Sequence, residues 1–175
     1  MGSDPIYPAV GHPTIRQATP ADLDALERFQ QGIIAAERPF DPLLRDRDVR
    51  YYDIAAMLAD PAVHLLLAEA DGGPVGCAFA RIDVPKPWLR HPREAYMGLM
   101  FVEPAWRGQG VNAQLLAALK AWCRGQAVSE LRLDVYADNA AAVRAYRKAG
   151  FRPSMLEMRA TLASADDAGD DPPTE

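Results

Sequence analysis

A loop that contains two glycines, Arg107-Gly108-Gln109-Gly110-Val111, constrains the fold of this 175-residue chain more than any other feature. The apolar run at residues 94–102 predicts a strand before the loop, and the repeat at residues 110–124 predicts a helix after it. Glycines let a backbone approach a ligand closely, and a helix start offers unpaired N–H groups and a positive dipole end to an anion. This order therefore predicts a phosphate-binding loop with Arg107 as a charged donor. A glycine turn without a ligand is the simplest alternative.

Residues 108–113 also match the Gly-x-Gly-x-x-Gly/Ala fingerprint of nicotinamide-dinucleotide enzymes, and Asp134 follows them by about 20 residues, as that fingerprint requires. In the fingerprint the glycine turn follows the strand directly, whereas residues 103–107 separate the two here. The chain after Asp134 is also too short for a second nucleotide-binding half, so a dinucleotide enzyme remains only an alternative. A nucleoside-triphosphatase loop is excluded because no Lys-Ser or Lys-Thr pair follows the glycines.

A second pattern lies in residues 139–151, which are predicted to begin with a helix. Asn139, Ala142 and Tyr146 recur at a spacing that puts them on one helix face. Tyr146 would lie about 10.5 Å along the axis from Asn139, so an amide and a phenol would follow an extended ligand arm. The alternatives are that Asn139 only caps the helix and that Tyr146 packs in the core.

The loop R-x-x-G-x followed by N-x-x-A-x-x-x-Y-x-K-x-G-F resembles the GNAT superfamily of acyl-CoA N-acyltransferases over residues 94–151. This resemblance implies an α+β fold with a mixed, mostly antiparallel central sheet flanked by helices, in the order β-α-α-β-β-β-α-β-α-β. It implies acetyl-CoA as cosubstrate, no metal, an amine of a small molecule or protein as acceptor, and a possible homodimer. A non-catalytic acyl-CoA-binding module of the same fold is an alternative. Asn112 departs from the family pattern, which usually has Gly or Ala there.

The resemblance also implies roles for single residues. Backbone N–H groups near Phe101 and Val102 would polarise the thioester carbonyl, and Tyr146 would protonate the departing thiolate. Glu94 lies where some family members carry the base for the amine proton, the alternative being a surface charge at a strand start, and Glu103 is expected to pair with Arg107. The cofactor-binding set implied in this way is Phe101, Val102, Arg107, Gly108, Gln109, Gly110, Val111, Asn112, Asn139 and Tyr146.

The acceptor side of this family is built by the first two helices and by loops around the third and fourth strands. The candidate lining residues there are Glu37, Asp41, Tyr51, Tyr52 and Trp88, each of which is otherwise a surface or packing residue. His12, His64 and His91 have no metal-ligand spacing, so no metal site is expected.

The other periodicities complete the element order. Thr19 is expected to cap a helix that has Pro20 at its first position and runs to about residue 38. The further predicted elements are a strand at residues 14–18, a helix at 48–58, a hairpin of 63–68 and 75–80, a strand at 131–135, a helix at 139–149 and a last strand at 155–159.

Composition predicts one domain at residues 14–162, between a flexible arm at 1–13 and an acidic, disordered tail at 163–175. The tail holds five of the 24 acidic residues, which leaves 19 acidic and 19 basic residues in the rest of the chain. A neutral body does not favour nucleic acid or an anionic membrane as partner. Without an apolar segment long enough for a membrane span or signal peptide, the protein is expected to be cytoplasmic, with Cys77 and Cys123 as buried free thiols.

Overall fold

The computed structural model describes residues 13–70 and 72–162, which form one five-stranded sheet with helices on both faces. The strands are β1 (Thr14–Gln17), β2 (Val63–Ala70), β3 (Gly73–Asp83), β4 (Glu94–Val102) and β5 (Glu130–Arg132). The helices are α1 (Leu23–Glu37), α2 (Ile54–Ala59), α3 (Val111–Gly125) and α4 (Ala140–Lys148), and short 3-10 turns lie at Pro20–Asp22, Arg38–Phe40 and Pro104–Trp106. None of the helices in these ranges has the length and apolar character needed to cross a membrane.

The strands lie in the order β1-β2-β3-β4-β5, so each strand pairs with its neighbour in the sequence. The first three pairings are antiparallel, whereas β4 and β5 are parallel and are joined through α3. A parallel pair needs a crossover of about a dozen or more residues, which α3 supplies. The mixed, mostly antiparallel sheet predicted from the sequence is confirmed.

The sheet separates two apolar cores. On one face, α3 packs the fully buried Leu115 and Leu119 against the central strands. On the other face, α1 contributes Leu26 and Phe29 and α2 contributes Ile54, all fully buried. Complete burial of one such side chain contributes about 1.5–3 kcal/mol, so these contacts hold the helices against the sheet.

A bulge in β4 changes the direction in which its side chains point. The register between β3 and β4 shifts between Cys77 and Phe79, and Leu99 adopts the left-handed conformation with φ 49°. Met97 before the bulge and Met100 after it both pack on the α3 face, although strict alternation would put them on opposite faces. The bulge therefore directs the second half of β4 differently from its first half.

The bulge coincides with the end of strand pairing on the outer side of β4. β5 pairs only with Glu94, Ala95 and Tyr96. Within the described ranges, no strand pairs with the rest of this edge, from Met97 to Val102. The backbone along this edge is therefore available to a ligand that lies beside the strand.

The predicted helix at residues 48–58 is wrong in its first part, because α2 begins only at Ile54. Asp53 is the N-cap of α2, where its Oδ1 accepts a hydrogen bond from the Ala56 N–H at 3.0 Å. Asp48 has a left-handed conformation with φ 57°, which a helix cannot contain. A side-chain cap and a turn therefore replace the first half of the predicted helix.

Two predicted strands near the C-terminal end are also corrected. β5 is shorter than the predicted strand at 131–135, and residues 151–162, which include the predicted last strand, have no regular secondary structure. Met155, Leu156 and Met158 are 70–86% exposed, so their apolar side chains supply no core burial to hold a strand on the sheet. Cys77 and Cys123 are buried free thiols, as predicted. The predicted arm, apart from residue 13, and the predicted acidic tail lie outside the described residues.

Gly98, just before the bulge, provides a test of this packing. We expect Gly98→Ala to lower the free energy of unfolding by about 1–3 kcal/mol through overpacking. A Cβ at this position would lie 2.6 Å from the Tyr52 Oη and 2.9 Å from Phe79 Cε1. Urea denaturation monitored by circular dichroism measures the change.

Gly125→Ala is the control, because a Cβ there has no atom within 4 Å and the backbone is not left-handed. It should leave stability unchanged or raise it slightly. Equal unfolding midpoints for the wild type and Gly98→Ala would contradict the packing described here.

Candidate active site

The predicted phosphate loop has a backbone that only glycine adopts without strain. Gly108 and Gly110 have left-handed φ angles of 76° and 81°. A Cβ on either residue would have no other atom within 4 Å, so the space beside the loop is open. Both glycines are therefore required by the loop conformation, and together they leave room for a ligand to approach the backbone.

The first turn of α3 presents N–H groups to that space. Gly110 is the N-cap, and no side chain of the described residues caps the helix. The helical hydrogen bonds begin with the Gln114 N–H, which donates to the Gly110 carbonyl at 3.1 Å. The N–H groups of residues 111–113 precede this bond and have no acceptor inside the helix. Together with the helix dipole, they form a site suited to a pyrophosphate.

Two side chains hold the loop in place. The Arg107 Nε donates to the Val102 carbonyl at 3.0 Å, which ties the loop to the end of β4, and its guanidinium lies 5.9 Å from the Phe101 ring centroid. The Gln109 Nε2 donates to the Ala105 carbonyl at 2.8 Å. The expected pair of Glu103 with Arg107 is wrong, because Glu103 lies 3.7 Å from Arg28 of α1 instead. The terminal guanidinium nitrogens of Arg107 make no hydrogen bond to another described residue and are therefore available to an anion.

Asn112, the departure from the family pattern, lies in the first turn of α3. Its side-chain Oδ1 is buried and has no hydrogen-bond partner among the described residues. A buried acceptor without a partner is costly, so this amide is a group that a bound molecule or water would satisfy.

The helix α4 carries the other half of the predicted cofactor site. The Asn139 Oδ1 accepts from the Ala142 N–H at 3.1 Å, so Asn139 does cap the helix, as one of the two sequence interpretations has it. Its Nδ2 is not used in that cap. Tyr146 is half-buried and meets Phe151 edge-on with ring centroids 6.0 Å apart. Burial, with the charge of Glu37 and the nearby Tyr52, raises the pKa of Tyr146 to about 12, so the phenol keeps its proton at neutral pH.

Tyr146 belongs to a group of tyrosines and acids that we call the tyrosine–carboxylate cluster. Its members come from the ends of α1 and β5, from β4, from α4 and from the segment before α2. They are Glu37, Asp41, Tyr51, Tyr52, Tyr96, Asp134, Tyr136 and Tyr146. Four of these residues, Glu37, Asp41, Tyr51 and Tyr52, are predicted from the sequence to line the acceptor side. The sequence does not predict Tyr96, Asp134 or Tyr136 there.

The segment that carries Tyr51 and Tyr52 is anchored by one buried amide. Gln30 of α1 is fully buried, and its Oε1 accepts from the Tyr51 N–H at 3.0 Å and from the Tyr52 N–H at 2.7 Å. Tyr52 then packs edge-on against Phe79 at 5.1 Å, with its hydroxyl next to Gly98. Gln30 lies within the helix that is predicted to run to about residue 38, and its polar side chain among the apolar residues of that helix is the signal that could have revealed the anchor.

The electrostatics of the cluster favour protonated phenols. Burial is the largest cause of the raised pKa of Tyr52 and of Tyr96, and the charge of Asp134 adds to both. Burial also raises the pKa of Glu37, so its carboxyl group binds a proton more readily than an exposed one. The Tyr51 hydroxyl is buried and has no hydrogen-bond partner among the described residues. The cluster therefore combines proton donors with a carboxylate of increased basicity.

Glu94, the base proposed from the sequence, lies in a different environment. His91 lies 3.1 Å from one carboxylate oxygen and the Arg132 Nε donates to the other at 2.9 Å. These partners lower the pKa of Glu94, which makes it a weaker base. Trp88, proposed as a lining residue, is 76% exposed and has Lys86 5.6 Å from its ring centroid. In the described ranges, no group of three or more His, Cys, Asp or Glu side chains is placed to hold a metal ion.

Comparison with known proteins agrees with this geometry. Residues 29–151 match the acetyltransferase (GNAT) family. The chain is 34% identical to aminoglycoside N(6′)-acetyltransferase type 1 of Stenotrophomonas maltophilia, over 79% of this chain and 86% of that protein. It is 30% identical to N-alpha-acetyltransferase RimI of Mycobacterium tuberculosis, over 89% of this chain and 88% of that protein.

The fold is also found among solved structures. The structure of AAC(6′)-Iy in complex with the bisubstrate analogue CoA-S-monomethyl-acetylneamine superimposes with a TM-score of 0.66 at 22% identity, over 88% of this chain and 100% of that one. The sequence match, the sheet topology and the glycine loop agree with one another. The chain therefore belongs to the acetyltransferase (GNAT) family and is an acetyl-CoA-dependent N-acetyltransferase.

Proposed function

We propose that this enzyme transfers the acetyl group to the amine of a positively charged small molecule by direct attack, with Tyr146 as general acid. The observation that carries the proposal is the protonated, half-buried phenol of Tyr146 within a cluster that also contains carboxylates. The amine nitrogen forms a bond to the thioester carbonyl carbon and the carbon–sulfur bond breaks. Tyr146 gives its proton to the departing thiolate and a carboxylate base takes the proton that the amine loses, and transfer of that proton from the base to the phenolate restores both groups.

The described residues fit a coenzyme A thioester, which when bound supplies an activated acetyl group. The uncapped start of α3 and the open space beside Gly108 and Gly110 would hold its pyrophosphate, with Arg107 at the rim. The unpaired edge of β4 would hold the extended arm, and backbone N–H groups near Phe101 and Val102 would polarise the thioester carbonyl. The Nδ2 of Asn139, which the helix cap does not use, would contact the arm from α4.

The acceptor is inferred from charge. In the part of the chain that the structure describes, Glu37 and Asp134 form no ion pair, so the cluster contains carboxylates without a counter-charge. Such a site favours a cation over a neutral or acidic acceptor. The relative from Stenotrophomonas maltophilia is an aminoglycoside acetyltransferase and that from Mycobacterium tuberculosis an N-alpha-acetyltransferase. The uncompensated carboxylates favour a small polycationic amine, and thiol release on a panel of such amines and of peptide N-termini tests this choice.

The base that accepts the amine proton is proposed to be Glu37, with Glu94 as the alternative. A carboxyl group whose pKa is raised takes up a proton more readily, and burial raises the pKa of Glu37. The contact with His91 and the ion pair with Arg132 lower the pKa of Glu94, so its carboxylate takes up a proton less readily.

Removal of the phenolic hydroxyl tests the general acid. We expect Tyr146→Phe to lower kcat by about 100-fold or more, because proton donation to the leaving group contributes roughly 10²–10⁴ in rate. The Kd for coenzyme A should change by less than about threefold, since the role is in the chemical step. Arg144→Gln, at an exposed position of α4, is the control and should keep both values. Unchanged turnover of Tyr146→Phe in a chemistry-limited assay would reject the role.

A methyl group in the glycine loop tests the phosphate site. Gly110→Ala should weaken coenzyme A binding by about tenfold or more, because a Cβ strains the left-handed backbone and occupies the approach to the loop. Calorimetric titration with coenzyme A measures the change. Gly72→Ala is the matched control, since Gly72 also has positive φ, 105°, but lies in the turn between β2 and β3. Equal losses of affinity in the two variants would assign the effect to general strain.

The two carboxylates are distinguished by pH–rate profiles. The proposed base works only when ionised, so the rate should rise with pH through the raised pKa of Glu37 and then reach a plateau. Glu37→Gln should remove this acid limb and lower kcat by about 100-fold. Glu94→Gln should leave the limb in place. The reverse result for the two variants would assign the base to Glu94.

A further inference from the structure

The segment of residues 151–162 has no regular secondary structure, yet one of its side chains, that of Arg159, makes two polar contacts. The Arg159 Nη1 lies 3.0 Å from Asp41 Oδ2, and its Nε donates to Glu157 Oε1 at 2.6 Å. Leu156 and Met158, next to this arginine and its partner, are 70% and 85% exposed. Apolar burial therefore does not hold this part of the segment, and the contact with Asp41 is a main attachment.

Hydrogen-bond donors around the Asp41 side chain stabilise its charged carboxylate. It is 7% exposed, its Oδ1 accepts from the Leu43 N–H at 3.0 Å, and its Oδ2 accepts from the Tyr136 hydroxyl at 3.0 Å. The Leu43 N–H, then Arg159 and Tyr136, lower the pKa of Asp41, so it is ionised at neutral pH. The Leu43 and Tyr136 donors are neutral, and only a cation compensates the charge.

This carboxylate lies beside the proposed acceptor site. Asp41 follows Glu37 by a single 3-10 turn, Arg38–Phe40, and Phe40 stacks on Tyr136 with ring centroids 6.3 Å apart. The Tyr136 carbonyl accepts from the Asn139 N–H at 3.0 Å at the start of α4, the helix that carries Tyr146. One hydrogen-bonded path therefore joins Asp41 to the helix of the proposed general acid.

We propose that Asp41 and Tyr136 form an acceptor subsite for a second positive charge, and that Arg159 occupies this subsite until an acceptor cation displaces it. The proposal rests on the proposed function and adds to it that the acceptor carries a further ammonium or guanidinium group besides the reacting amine. Arg159 can leave when an acceptor cation takes its place, because its own side chain is 54% exposed and the new cation keeps the buried charge of Asp41 compensated. A ligand that brings its own cation replaces this pair with an equivalent one.

The experiment compares acceptors with one and with two charges. Steady-state kinetics are measured with 1,4-diaminobutane and with butylamine for the wild type, Arg159→Gln, Arg159→Lys and Asp41→Asn. Arg159→Gln should lower KM for the diamine about 2- to 5-fold, the ratio that corresponds to one ion pair with an exposed side chain, and leave KM for butylamine unchanged. Asp41→Asn should raise KM for the diamine, also when it is combined with Arg159→Gln. Arg159→Lys keeps the charge and should behave like the wild type.

Arg152→Gln is the control, because Arg152 is exposed in the same segment. Equal changes in KM for both amines, or no change in Arg159→Gln, would overturn the subsite. If no amine of the panel is acetylated, the proposed function fails. The subsite is then tested separately, by calorimetric titration of the coenzyme A-saturated protein with 1,4-diaminobutane. Tighter binding to Arg159→Gln that Asp41→Asn abolishes supports the subsite. The same Kd in all variants, or no binding to Arg159→Gln, overturns it.

Discussion

The bulge at Leu99 in β4 is the constraint on which the arrangement of the site depends. One extra residue in this strand breaks the alternation of its side chains, so that Tyr96 before the bulge and Phe101 after it both pack on the α1 side. On the other edge, the short β5 pairs with β4 only as far as Tyr96. The same strand thus delivers aromatic side chains to the site and an open backbone edge for a ligand. Gly98, just before the bulge, lets Tyr52 pack beside this strand, because it leaves room for the Tyr52 hydroxyl.

The two ends of the site act through different electrostatics. At the start of α3 the protein offers main-chain N–H groups and a dipole, which suit an anion without any buried charge. In the tyrosine–carboxylate cluster, burial suppresses ionisation of the phenols and raises the basicity of Glu37. In the proposed function, a phosphate group and a cationic amine are therefore attracted to separate ends of the site.

Charge compensation distinguishes the carboxylates around the site. Asp83 and Glu94 share Arg132, and Asp41 has Arg159, whereas Glu37 has no arginine or lysine partner among the described residues. A paired carboxylate is stabilised in its charged form and is a poor proton acceptor, while an unpaired, half-buried one is a better proton acceptor. The partner of each acid, more than its place in the sequence, therefore decides which role it can serve.

The sequence by itself determined the local parts of this protein. The glycine loop, the start and end of β4 and the amphipathic α3 follow from short-range rules of spacing and backbone freedom, so the sequence predicts them with their residues, and it offers the cap at Asn139 as one of two interpretations. Tertiary structure alone decided the rest. The bulge at Leu99, the anchoring of Tyr51 and Tyr52 by Gln30 and the pair of Asp41 with Arg159 join residues far apart in the chain. The predicted last strand did not form because a strand requires a sheet edge and a buried face, and these depend on the packed fold rather than on the alternation of the residues.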